Sequence, residues 1–164
     1  MKIEKRLLSF SDMTRCGQIK KEVKKILIVY ADEFNKTSNE RYNYLERLKY
    51  QSDIYKSANY IIDKKAKIIN IIPEEEIAYA TEIFNIDNES IIVEVCSKKI
   101  SKELEKKLVE LLSLICIKNS LNPKKDILRL YDVINTRNFP LLIDNNMCFE
   151  NIKNSTYNKI CTMN

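Results

Sequence analysis

The chain of 164 residues contains no histidine. It can therefore supply no imidazole base and no His-based metal site of its own. A Ser-His-Asp or Cys-His nucleophile is excluded for the same reason. Glu94 sits inside the apolar run Ile91-Ile92-Val93-Glu94-Val95, where a carboxylate needs a partner. It reads as a strand residue satisfied by a neighbouring donor. Glu74-Glu75-Glu76 could gather a cation, but adjacent extended residues point apart, so a solvated charge run is expected. The five cysteines, Cys16, Cys96, Cys116, Cys148 and Cys161, form no C-x-x-C pair. Free, mostly buried thiols in a reducing compartment are expected, rather than a zinc ribbon or a redox motif. Tyr42, Tyr44, Tyr50, Tyr55 and Tyr60 interleave with Arg41, Arg47, Lys49 and Lys56. Tyr and Arg are favoured at protein interfaces, so this stretch points to a protein partner, with nucleic acid as a further possibility.

These groups need elements to hold them. The hydrophobic share is 45% and the charged share 31%, with one Gly and three Pro, which fits one soluble domain spanning residues 1–164. Ile26–Tyr30 is a short β-branched run and reads as a buried strand. A helical stretch with mixed faces follows, over about residues 38–55. Ser57–Ile62 and Lys67–Ile72, joined by Asp63-Lys64-Lys65, read as a hairpin that Pro73 ends. Ile91–Val95 reads as a central strand. Leu104, Leu108, Leu111, Leu112 and Ile115 form one apolar stripe on a helix that Ser101 caps, with Glu103 near its positive end. Asn122-Pro123 breaks that pattern, Ile127–Tyr131 reads as a last strand, and a helix is expected over about 145–160. Strands alternating with helices predict an α/β fold, a mixed central sheet flanked by helices.

The net charge of +5 is modest and its acids and bases are interspersed, which describes a solvated Lys-rich surface. No apolar run reaches the ~20 residues that span a bilayer, so no membrane role is expected. The opening Met1–Leu8 is charged and lacks the apolar core of a secretory signal, so a cytoplasmic protein is expected.

Several strings, taken in order, resemble the zinc-dependent N-acetylmuramoyl-L-alanine amidases of the type 2 amidase and peptidoglycan-recognition superfamily, in particular clostridial prophage endolysins. Arg15-Cys16-Gly17 is similar to an Arg-x-Gly of that family, and Ser57-Ala58-Asn59-Tyr60-Ile61-Ile62-Asp63 to Ser-Ala-His-Tyr-x-x-Asp. Ser90–Cys96 is similar to Ser-Ile-Gly-Ile-Glu-Ile-Cys, Arg129-Leu130-Tyr131-Asp132 to Arg-His-Tyr-Asp, and Asn138-Phe139-Pro140 to Asn-Cys-Pro. The resemblance covers nearly the whole chain and implies the amidase-like fold.

It also implies where the family's site residues fall. The three zinc ligands fall on Val29, Leu130 and Phe139, none of which has a lone pair for a metal. The family's strand acid falls on Glu94, its basic residue before the Cys on Arg137, its Ser-Ala-His-Tyr histidine on Asn59, and the Trp of an Ala-Trp-His on Tyr79. From these departures the expectation is a pseudoenzyme with no cofactor and no metal. It would act through protein–protein interaction as a cytoplasmic regulator of a prophage or mobile element, with Tyr42, Tyr44, Arg47, Tyr50, Asn59 and Tyr79 as candidate binding residues. The alternatives are a non-catalytic peptidoglycan- or muropeptide-binding protein, an amidase with rebuilt chemistry, and a DNA-binding regulator.

Overall fold

Runs of β-branched residues build a six-stranded mixed sheet. The computed structural model describes residues 1–31, 36–97, 99–134 and 146–163. The strands are β1 (Ile3–Lys5), β2 (Lys25–Tyr30), β3 (Tyr60–Asp63), β4 (Ile68–Asn70), β5 (Ser90–Cys96) and β6 (Ile127–Arg129). The helices are α1 (Ser38–Leu48), α2 (Phe84–Asn88), α3 (Lys102–Asn119), α4 (Pro123–Asp126), α5 (Leu130–Ile134) and α6 (Asn146–Cys161). Across the sheet the strands lie in the order β1-β4-β3-β5-β2-β6. β3 and β4 pair antiparallel, as a hairpin must, and the other neighbours run parallel.

The alternation of side chains along each strand sends them into two apolar layers. On one face Ile26, Ile28, Ile62, Ile91, Val93 and Val95 meet the α3 stripe and Phe149 and Ile152 of α6. On the other face Leu27, Val29, Ile61, Ile69 and Ile92 meet Tyr42, Leu45 and Leu48 of α1. Ser101 caps α3 as expected, its Oγ accepting from the Leu104 N–H.

Three expectations are corrected. The last strand stops at Arg129, because Asp132 accepts from the Arg129 N–H at 2.9 Å and starts a helical turn at Leu130. The α1 helix ends at Leu48, well short of residue 55. Glu74-Glu75-Glu76 is not a solvated run. Glu75 is exposed, but Glu74 accepts from the Tyr60 hydroxyl at 2.6 Å and Glu76 pairs with Arg15 at 2.7 Å. Three elements went unread, β1, α2 and α4; all are too short for a period to show. Among the described residues, no helix is long and apolar enough to cross a membrane. The five cysteines are free; Cys96 and Cys116 are buried and Cys161 is exposed.

Candidate ligand-binding cleft

Register places Val29 of β2 and Ile61 of β3 on either side of Glu94 of β5. Residues paired in this way share a face. All three therefore look toward α1. That helix is fixed at its start: Thr37 and Glu40 form a reciprocal cap, and Ser38 donates from its N–H and Oγ to Asp63 Oδ2 at 2.8 and 2.9 Å. One turn in, Arg41 reaches the sheet. Its Nε and Nη2 donate to the two Glu94 oxygens at 3.0 and 2.5 Å, and both side chains are 2% exposed. Burial alone would pull the Arg41 pKa down; the Glu94 carboxylate outweighs it and holds the guanidinium above its ordinary range. The Tyr44 ring lies under the same guanidinium at 4.9 Å.

Beside this pair opens a cleft of about 550 Å³, with Glu94 in its floor. Val29, Leu130 and Ile134 line it, together with Ile54, Tyr55, Tyr79 and Ile83. Tyr55 and Tyr79 meet edge to face, centroids 5.8 Å apart. The wall at residues 79–81 is held from behind. Ser57 donates its N–H to the Tyr79 carbonyl and accepts the Tyr79 N–H on Oγ, at 2.7 and 2.9 Å. Asp87 accepts from the Ala80 N–H at 3.1 Å and the Thr81 Oγ1 at 2.9 Å. Burial raises the Asp87 pKa against those hydrogen bonds. Glu82, next in the wall, takes φ +60°, a left-handed conformation that costs a non-glycine residue energy. Lys56 also lines the cleft; burial lowers its pKa and Glu94 opposes that shift.

The structure brings Val29, Leu130, Glu94 and Tyr79 into this one cleft. None of the other described candidates lines it. Asn59 is fully buried and spans three segments: its Nδ2 donates to the Pro73 carbonyl at 2.7 Å and its Oδ1 accepts the Ile92 N–H at 2.9 Å. A side chain so placed is a brace, not a ligand contact. Tyr42 is buried and donates its hydroxyl to the Leu7 carbonyl at 3.1 Å. Tyr44 is half-buried under Arg41, whereas Arg47 and Tyr50 are exposed. The expected Tyr/Arg surface is thus split between core and solvent. Phe139 and Arg137 lie outside the described residues. Sequence reasoning missed Arg41 as the partner of Glu94 and Lys56 as a cleft residue; no local pattern marks either.

Zinc, the metal implied by the resemblance, does not fit the described residues here. Val29 and Leu130 offer no lone pair, and both Glu94 oxygens are held by Arg41. Among the described residues, no three His, Cys, Asp or Glu side chains are grouped as a metal site.

Comparison with known proteins places this geometry. The structure is similar to the catalytic domain of XlyA, with a TM-score of 0.76, 11% identity, and coverage of 95% of this chain and 99% of that one. It is similar to a mutant endolysin from Bacillus subtilis, with a TM-score of 0.75 and 14% identity over 94% of this chain and 98% of the other. It is also similar to the N-acetylmuramoyl-L-alanine amidase LysC from Clostridium intestinale URNW, with a TM-score of 0.64 and 17% identity over 94% and 96%. At these identities the likeness is one of fold. No curated protein sequence matches this chain. The Amidase_2 family, N-acetylmuramoyl-L-alanine amidase, matches residues 20–140. That match corrects the expectation that the chain is not an enzyme. The expectation rested on substitutions at three positions; the match spans all three and sets the chain in a family of amidases. By the extent of that match, the chain belongs to the N-acetylmuramoyl-L-alanine amidase family.

Proposed function

We propose that this chain recognises peptidoglycan, through a muropeptide seated in the cleft beside the Arg41–Glu94 pair. The observation that carries the reading is the cleft itself. It lies on the α1 face and is lined by Tyr30, Tyr55 and Tyr79 and several aliphatic side chains. A concave, mostly apolar site with a few polar groups is what a small ligand requires. Aromatic edges and aliphatic walls suit a sugar ring and a short peptide together. The reading covers soluble fragments, the form that a cytoplasmic protein would meet, as well as the wall. The sequence-level alignment of Val29, Leu130 and Phe139 with the family's ligand positions is part of this proposal, since it sets the cleft where the family's reaction takes place.

Calorimetric titration with a defined muramyl peptide tests the reading. Binding is expected, and Tyr79→Ala should weaken it by about tenfold, the usual cost of losing an aromatic anchor. No heat at millimolar ligand would overturn it. The same preparation, assayed for new L-alanine amino termini in purified peptidoglycan, reports turnover.

A second reading, a protein partner, has one observation in its favour. Tyr50, Ile54, Tyr55, Ile83 and Phe84 are exposed apolar side chains, three of which line the cleft. It predicts that Tyr50→Ser and Phe84→Ser abolish a specific complex and leave muropeptide binding unchanged. A regulatory role in a prophage has no structural observation in its favour and forms no part of the proposal.

A further inference from the structure

The cleft wall at residues 79–83 belongs to no helix or strand, and a single carboxylate gathers it. Asp87, which is 2% exposed, accepts from the Ala80 N–H at 3.1 Å and the Thr81 N–H at 3.2 Å. It also accepts from the Thr81 hydroxyl at 2.9 Å, and Thr81 Oγ1 in turn accepts the Ile83 N–H at 3.1 Å. Ala80, Thr81, Glu82 and Ile83 all line the cleft, whereas Asp87 does not. Glu82, at φ +60°, is a strained residue of the kind that persists only where its neighbours over-determine it. The bonds at Thr81 and Ile83, one on each side of it, supply that constraint.

The surroundings leave Asp87 as the group that acid would change. Lys20, from the segment before β2, attracts its carboxylate and stays charged in acid. Nearby in the chain, Glu82 is exposed and Glu89 pairs with Lys24. On β5, against which α2 packs, Glu94 is held by Arg41, and burial keeps the Cys96 thiol protonated. Burial raises the Asp87 pKa above the ordinary aspartate value. Protonation turns one of its acceptor oxygens into a donor, and the wall loses a partner for one of its N–H groups.

We infer that Asp87 is a positioning residue for the ligand: from behind the cleft it sets the wall at residues 80–83, so that acid loosens the ligand's seat. The inference rests on the muropeptide reading for its ligand and adds a control on that same site. The apparent affinity follows the fraction of chains whose wall is set.

The test is calorimetry with a muramyl peptide whose carboxylates are amidated, so that the ligand itself does not titrate in acid. Wild type and Asp87→Asn are compared from about pH 7 to about pH 4, within the range where circular dichroism shows a folded chain. The wild type should lose about 3–10-fold in affinity toward acid, the span of one net hydrogen bond. Asp87→Asn should bind weakly throughout, with a flat profile. At neutral pH, Thr81→Val should weaken binding by a similar factor and Thr81→Ser should restore it. Parallel pH profiles, or Thr81→Val binding as tightly as the wild type, overturn the inference and leave the muropeptide reading standing. A wild type that binds no muramyl peptide at neutral pH overturns that reading and this inference with it. The Thr81 pair carries the test if Asp87→Asn does not fold.

Discussion

The two faces of the sheet are built from the same kind of strand and do different things. The face under α3 and α6 is closed with isoleucine, leucine and valine: Leu104, Leu108, Leu111, Leu112 and Ile115 lie flat on Ile26, Ile91, Val93 and Val95. The face under α1 begins the same way, with Leu45 and Leu48 on Ile61 and Ile92, and then takes in a buried ion pair and opens into the cleft. The difference comes from helix length and composition. α3 is an 18-residue helix with a continuous apolar stripe, long enough to cover the sheet. α1 has 11 residues and substitutes Arg41 into its inward face, so it leaves sheet uncovered and sends a charge toward it. A dry face holds the fold, and a partly covered one leaves room for a ligand.

The comparison can be broken most sharply at Arg41. Arg41→Met removes one partner of a pair in which both side chains are 2% exposed, and leaves a carboxylate buried alone. A loss of about 3–5 kcal/mol is expected in urea unfolding, with the double variant Arg41→Met/Glu94→Met recovering much of it. Failure of the double variant to recover would mean that the pair contributes net stability, and the α1 face would then resemble the α3 face energetically. Leu112→Ala tests the dry face. It truncates a fully buried side chain and should cost about 2–5 kcal/mol, with no effect on ligand affinity once the protein is folded.

The smallest effect concerns Lys20, whose buried ammonium donates to the Glu74 and Glu76 carbonyls. Burial lowers its pKa to about 8, from 10.5, against the attraction of Glu74 and Asp87. Between pH 8 and 10.5 the unfolded chain therefore holds more protons than the folded one. Stability contributed through this group must rise with pH across that window, and the penalty is fully present below it. The difference between the wild type and Lys20→Met should change by at most about 3 kcal/mol over this range. Taking the difference removes the opposing thiols, since Cys96 and Cys116 are both raised by burial and lose stability as the unfolded thiols ionise. A flat difference curve would show that Lys20 is not desolvated.

Much of the frame was legible because its signals are local. The β-branched runs of β2 and β5, the hairpin of β3 and β4, and the capped stripe of α3 each declare themselves within a few residues. The site was legible only in part. Val29, Leu130, Glu94 and Tyr79 were singled out and share the cleft. Arg41 was read with the exposed tyrosines because its partner is 53 residues away, and nothing in Glu40-Arg41-Tyr42 says which way the guanidinium turns. Arg15 and Glu76, 61 residues apart, hid each other in the same manner, and with them the burial of the Glu74–Glu76 segment. Asn59 was expected at a binding surface; its role as a brace depends on the Pro73 and Ile92 backbones that the fold brings to it.

The outer strands of the sheet, β1 and β6, have three residues each. Short margins expose few unpaired backbone groups, so another copy finds little to zip onto. A sheet this rich in isoleucine would otherwise invite fibrillar self-association. Brevity at these two borders disfavours such pairing while the aliphatic content is concentrated in the middle of the sheet.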